Sequence, residues 1–362
     1  MAILRGVFAA WLVGAGVGAA WAAPLDIFLT ATPEPLTGQG TLELGADRIN
    51  PQLDVLNLRS RSADPDNANS SYAANHISGS LRVGEQGWLS ASLGQRTITD
   101  SGGNYHYNSW QLSGQYRVLE AQSWRPATAL RLSAWGNYAD QTESSKAVVV
   151  PGAKLDSVKI SRPTDQQLQA DVVGTWPLGS DADVSAFVGV GTSQLSYGAL
   201  SATTTLDGCH YNLAFSGNAV YGVLASPCSA GIYLQEIYDN SGRLGIDVGN
   251  EIAWRGKFVQ AGVNARWHDG PWTWRAGYLF YMVQREAIDA ILAARKQTSY
   301  TQNHSLGLEA SYRLRPDTQL FASALISSNL FFNDMPLTYN TSTAARFDGA
   351  ASVFGVGLRF DF

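Results

Sequence analysis

Apolar and polar residues alternate with a period of two over most of the chain beyond Thr41, the mark of β-strands with one apolar face. The pattern is clearest at the end, where Phe354, Val356, Leu358, Phe360 and Phe362 interleave with Val353, Gly355, Gly357, Arg359 and Asp361. Working through the chain, it predicts a first strand at Thr41–Asp47 and then pairs joined by short turns. His76–Val83 turns into Trp88–Ile98, Tyr107–Val118 into Ala127–Tyr138, and Gln167–Trp176 into Asp183–Leu195. The second half repeats the plan with Gly231–Tyr238 and Arg243–Trp254, Lys257–Trp267 and Trp272–Val283, Gln302–Leu314 and Thr318–Ser328, and the closing strand Ala350–Phe362. Longer polar segments read as loops separate the pairs: Thr99–His106, Ala139–Gln166 and Ser196–Ala230. Helical period occurs only in Arg285–Lys296, where Ile288, Ile291 and Leu292 share a face. Two placements suit that helix, folded into a mouth or lying over a rim.

Short turns on one side, long loops on the other and an even count of about fourteen strands, within a range of twelve to sixteen, describe an all-β fold. The architecture expected is a transmembrane antiparallel up-and-down β-barrel. The closing strand is long enough to cross a bilayer, which takes roughly 9 to 11 tilted residues. A chain ending on such an amphipathic strand and a terminal Phe resembles the bacterial outer-membrane β-barrel proteins. The resemblance is specific at this terminus and elsewhere rests on the repeating pattern. It implies residence in the bacterial outer membrane, contact with its lipid and lipopolysaccharide, and handling by the outer-membrane assembly machinery. Closure also follows from physics, because in hydrocarbon each unpaired backbone group costs several kcal/mol.

The region before Thr41 has a different character. Met1–Arg5 carries one positive charge, Gly6–Ala20 is apolar, and Ala20-Trp21-Ala22 is a small-x-small cleavage site, so residues 1–22 read as a secretory signal peptide. Residues 23–40, with Pro24, Pro33 and Pro35, are expected to form an extended periplasmic arm, and residues 41–362 the barrel. No later run reaches the roughly 18 apolar residues of a helical span, although 45% of the chain is hydrophobic. Charged residues make up only 15%, and 36 Gly, 15 Tyr and 11 Trp suit a sheet with small lumen-facing residues and aromatic belts. Trp88, Tyr138, Trp176, Trp254, Trp267, Trp272 and Tyr312 are the belt candidates. Losing Arg5 with the leader leaves 24 basic against 30 acidic residues, a net −6 with no block of like charge, which excludes nucleic acid as a partner.

Turning the polar face of each strand inward gives the candidate lumen-lining set: Glu43, Arg82, Arg96, Arg117, Arg131, Asp171, Asp247, Glu251, Arg266, Arg275, Glu309 and Arg313. Two readings stand. Either these charges line a hydrated bore that sorts solutes, or they pair across the interior and fill it. Trp135, Phe187, Phe258, Tyr281 and Phe321 likewise suit a stacking track for sugar rings or a surface packed on an inserted loop. Cys209 and Cys228, an even number in an exported chain, are expected to form a disulfide. Asn303-His304-Ser305 has the residue types of a hydrolase, but neighbouring strand residues face opposite ways and do not converge. No phosphate or calcium loop is present, and no cofactor or metal is expected.

The function that follows is an outer-membrane channel for passive or gated passage of small hydrophilic solutes, with saccharides as one cargo class. The alternative is a plugged barrel that serves structure or binds a ligand or polysaccharide. A lipid-modifying enzyme at the rim is the third reading, and the chain is not expected to be an enzyme. N-terminal sequencing of protein isolated from outer membranes is expected to begin at Ala23, and a start at Met1 contradicts the leader assignment.

Overall fold

The computed structural model describes residues 27–32, 39–49, 71–100, 103–144, 147–150, 153–226, 228, 234–244, 247–329, 333–341, 343–347 and 350–362. The expected leader, 1–22, lies outside them. Twelve strands close a barrel: β1 (Gly40–Ile49), β2 (Ser71–Val83), β3 (Gly87–Asp100), β4 (Gly103–Leu119), β5 (Ala127–Tyr138), β6 (Thr164–Pro177), β7 (Ala182–Ser196), β8 (Arg255–Asp269), β9 (Trp272–Arg285), β10 (Gln302–Arg315), β11 (Thr318–Ser327) and β12 (Ala351–Asp361). Each pairs antiparallel with its neighbours in sequence, and β1 pairs with β12 to close the ring. At that seam Phe362 and Gly40 exchange backbone hydrogen bonds of 2.9 and 3.0 Å. The terminal ring covers Gly40, where a Cβ would come within 2.6 Å of it.

Twelve strands lie inside the expected range, and the two absent from the wall are Gly231–Tyr238 and Arg243–Trp254. Glu236–Tyr238 of the first belong instead to a strand, Glu236–Asn240, that pairs with Ala219–Leu224 in a sheet outside the barrel. The second becomes a turn at Ser241–Leu244 and a short helix at Val248–Ile252, whose N-cap Asp247 accepts a bond from Asn250 N–H. An Asp at the N-cap with Asn250 in reach gives the backbone a helical start, and that local bonding wins over the alternation of Val248, Ile252 and Trp254. Thr99–His106, expected as a loop, instead continues the ladder of β3 and β4, with Thr99 opposite Asn104 and Asp100 opposite Gly103.

The two long segments on the loop side form a sheet of their own. Its order is Glu236–Asn240, Ala219–Leu224, Cys209–Ser216, Ala199–Leu206, Ala153–Ser161 and Gln141–Ser144, with Val148–Val150 also on Ala153–Ser161. Cys209 and Cys228 are bonded, with an S–S distance of 2.07 Å, and Cys209 packs beside Ala202, Tyr211 and Leu213.

Outward positions of the wall are apolar and exposed, including Leu89, Leu112, Leu132, Leu168, Val190 and Val356. So wide an apolar surface fits hydrocarbon and not water. At the short-turn end Trp267, Trp272, Trp274 and Tyr312 stack with centroids 4.8 to 6.2 Å apart, an interfacial cluster. Two belt candidates instead face inward: Trp88 lies under Arg117, 5.5 Å from its guanidinium, and Trp254 joins the inner cluster described below.

β2 begins at Ser71, so His76 sits in mid-strand opposite Gly45 of β1. The His76 ring fills the space above Gly45, where a Cβ would approach its Cε1 within 2.2 Å. Gly45→Val is expected to lower the stability of the folded barrel by about 2 kcal/mol through overpacking, read as a fall in the urea midpoint in lipid. An unchanged midpoint contradicts this packing.

Candidate functional site

The lumen is occupied by the chain itself at two levels. Near the periplasmic end, residues 27–32 lie across the bore. Ile27 nests against Gly277 of β9 and Gly307 of β10, which face each other in the ladder; a Cβ at Gly307 would come within 2.9 Å of Ile27 Cγ2. On the far side Ala31 N–H donates to Thr175 Oγ1 at 2.8 Å and Gln115 Nε2 donates to Thr30 O at 2.9 Å. Between them Asn264 Nδ2 donates to Leu29 O at 2.8 Å. Ile27, Leu29 and Ala31 pack on Ala127, Ala129, Val173, Phe187 and Leu279. The backbone of a buried segment must find partners, and here the wall supplies them from side chains. Of the described residues of the arm expected in the periplasm, Gly40 opens β1, and 27–32 thus lie within the barrel, where alternate apolar side chains find a dry surface. Their alternation is the sequence signal for it, together with the inward glycines 277 and 307.

Nearer the outside, residues 333–347 turn inward from the connection between β11 and β12. Arg96 of β3 holds Asp334 with both guanidinium nitrogens, Nη2 lying 3.0 Å from Oδ1. Asn137 Nδ2 donates to Asp334 O at 2.9 Å, and Asp165 Oδ2 accepts from Leu337 N–H at 2.8 Å. Met335, Leu337, Tyr339 and Phe347 then pack on Phe258, Tyr281 and Val283 of the wall and on Trp254. Arg285 lies 3.7 Å over the Tyr339 ring, and Trp254 Nε1 donates to Tyr339 O at 3.0 Å. The helix anticipated in Arg285–Lys296 spans Ile288–Ala294, with Ile288 and Leu292 fully buried in this cluster. It is folded into the mouth.

The inward aromatics are engaged with these inserts. Trp135, Phe258 and Tyr281 form a stack of 5.8 and 5.1 Å beneath residues 333–347, and Phe187 meets the N-terminal insert. Phe321 lies 5.2 Å under the Arg359 guanidinium.

Many of the candidate charges stand as cross-strand partners. Glu43 and Arg359 are register partners on β1 and β12, 2.6 Å apart; Arg275 and Glu309 are partners on β9 and β10, 3.2 Å apart. Arg131 and Asp171 face each other on β5 and β6 at 3.8 Å, and Arg266 Nε reaches Asp183 Oδ2 at 2.8 Å between β8 and β7. Asp171 also accepts from Gln169 at 2.6 Å and Gln260 at 3.1 Å. Directly opposed charges of this kind neutralise the wall. Arg117 pairs with the turn residue Glu120 at 2.8 Å, Arg82 donates to Gly84 O and Glu85 O, and Arg313 is exposed, so these three belong to the short-turn rim. Asp247 and Glu251 are on the helix Val248–Ile252 and not on a wall strand; Glu251 binds Arg295, with Nη1 to Oε2 at 2.9 Å, and accepts from Thr341 at 2.9 Å.

Sequence reasoning missed His76, Asp183 and Asp334. His76 Nε2 is 3.1 Å from Glu43 and its Nδ1 is 3.4 Å from Asp47, and the facing Gly45 is the signal that space is reserved there. His304 points outward to Tyr278 Oη at 2.7 Å, whereas Asn303 and Ser305 are buried inside, so the three do not converge. Among the described residues no group of three or more His, Cys, Asp or Glu side chains is placed to hold a metal ion.

A closed antiparallel barrel with an apolar outer band, an aromatic cluster at one end and a polar, filled interior defines a bacterial outer-membrane β-barrel protein. No family model and no curated protein matches the chain. Among solved structures it is similar to the translocator domain of the autotransporter NalP from Neisseria meningitidis, with 10% identity over 90% of this chain and 89% of that one and a TM-score of 0.48. It is also similar to the NanC porin (8% identity, 89% and 100% covered, TM-score 0.40) and to the CymD monoaromatic hydrocarbon channel (12%, 96% and 95%, TM-score 0.39).

The Arg96–Asp334 pair tests how the outer insert is held. Asp334→Ala leaves Arg96 buried without its carboxylate and is expected to cost about 3 kcal/mol, whereas Arg96→Met with Asp334→Leu is expected to recover most of it. Equal urea midpoints for Asp334→Ala and the parent contradict that anchoring.

Proposed function

We propose that this protein is a gated outer-membrane channel for small hydrophilic solutes, closed in the described state by two segments of its own chain. The observation that carries the reading is the lodging of residues 27–32 across the bore on hydrogen bonds to three wall side chains, Gln115, Thr175 and Asn264, and a small apolar patch. Three bonds at about 1 kcal/mol each and two aliphatic side chains at roughly 2 kcal/mol each are comparable to the ordering cost of this short segment, about 1–2 kcal/mol per residue. A segment held so near balance can be withdrawn by a modest differential affinity for the open state. Vacating it uncovers Gln115, Thr175, Asn264 and the Arg275–Glu309 pair, a polar path that suits hydrophilic cargo. Saccharides are one cargo class this path accommodates, with Trp135, Phe258 and Tyr281 as stacking surfaces once the outer insert lifts.

The second reading is a permanently plugged barrel that binds a ligand or polysaccharide outside. The multiple bonds of Asp334 and Leu337 to the wall favour it, as does the disulfide-stapled external sheet.

Planar-bilayer recording separates the two. The parent protein is expected to be mostly insulating, with deletion of residues 23–32 producing frequent steps and added replacement of 333–347 by a short Gly/Ser turn producing long-lived ones. A doubly altered protein that keeps its folded, heat-modifiable mobility yet stays insulating contradicts the channel.

A further inference from the structure

On the outside of the wall, at the loop end of β7 to β9, the apolar band stops at Val190, Val259 and Met282. The next outward positions are polar and exposed: Thr192 and Gln194 on β7, Lys257 and Arg255 on β8, and Gln284 on β9. The ladder sets them side by side, with Arg255 opposite Gln194 and Lys257 opposite Gln284. Alternate strand positions are roughly 7 Å apart, so two cations stand one above the other at the edge of the hydrocarbon. A lipid-facing Lys or Arg is tolerated at the interface and not at mid-depth. Among the described residues neither makes an ion pair. Glu286, the acidic residue next along the chain after β9, donates its backbone N–H to Arg255 O at 2.7 Å.

The loop end of an outer-membrane barrel faces the outer leaflet, which is built of lipopolysaccharide with phosphates on its sugar headgroup. We propose that Arg255 and Lys257, flanked by Thr192, Gln194 and Gln284, form a docking surface for a phosphate of bound lipopolysaccharide. The chemistry is charge complementarity between two cations and a phosphate, with amide donors from the neighbouring strands for the remaining phosphate and sugar oxygens. The acyl chains of the same lipid lie over Val190, Val259 and Met282. One molecule thus covers both the polar row and the apolar surface below it. The surface is independent of what passes through the lumen and depends only on the barrel's orientation.

Full-length protein extracted from outer membranes in mild detergent retains tightly bound lipopolysaccharide if this site exists. Mass-spectrometric quantification of co-purified lipid A is expected to show a roughly tenfold loss in R255E/K257E and an intermediate loss in K257Q. Lys154→Glu, a charge change on the external sheet, is expected to leave it unaltered. Rebinding of added lipopolysaccharide to delipidated protein is expected to fail when its phosphates have been removed, and phosphatidylglycerol is expected not to compete. Heat-modifiable mobility checks folding of each variant, and K257Q, which removes charge without reversing it, serves if the double variant does not fold. Equal retention by parent and folded variants, equal binding of dephosphorylated lipopolysaccharide, or effective competition by phosphatidylglycerol overturns the proposal.

Discussion

Inside hydrocarbon an unpaired backbone N–H or C=O has no water to turn to, so every strand of this sheet needs two neighbours. The seam between β1 and β12 is where that requirement is met last, and the chain's end is shaped for it. Phe362 exchanges backbone bonds with Gly40, and the absence of a Cβ at Gly40 lets the terminal ring lie flat over the joint. The short turns then fall on the side of both termini, and the long excursions, free of the membrane, satisfy their own backbone in a separate sheet.

Closure creates a second problem. A ring of eight strands is filled by its own side chains, whereas twelve enclose a wider interior. Part of the answer here is charge: Glu43 with Arg359, Arg275 with Glu309, Arg131 with Asp171 and Asp183 with Arg266 are register partners, so opposite charges meet on adjacent strands. The remainder is chain, with residues 27–32 low in the bore and 333–347 high in it. The two inserts differ in kind. The lower one rests on small apolar residues and neutral donors, while the upper one is bonded to the buried Arg96 and Asp165. That difference is the reason the proposed gating starts from the lower segment.

The wall was legible in the sequence because a period of two is a local property, and each barrel strand follows from its own residues. What failed was non-local or decided by a single cap. Val248, Ile252 and Trp254 satisfy a strand pattern, yet Asp247 and Asn250 start a helix at Val248–Ile252. The sheet of the long loops is built of short strands, so that even the alternation of Cys209, Tyr211, Leu213 and Phe215 runs for only eight residues. Facing direction, and so the inward set, could be read strand by strand, but pairing depends on register. The apolar alternation puts His76 at a strand end, whereas β2 starts five residues earlier, at Ser71. The N-terminal insert alternates only over Ile27, Leu29 and Ala31, and its receptor, Gly277 beside Gly307, lies far along the chain.

The occupied lumen can be examined directly in intact outer membranes with the double substitution A31C/T175C, which puts two thiols where Ala31 N–H now meets Thr175 Oγ1 at 2.8 Å. Mild oxidation is expected to cross-link the pair nearly completely and shield both from a membrane-impermeant maleimide. Free thiols that label fully, with no cross-link after oxidation, would contradict a lumen closed by the protein's own N-terminal segment.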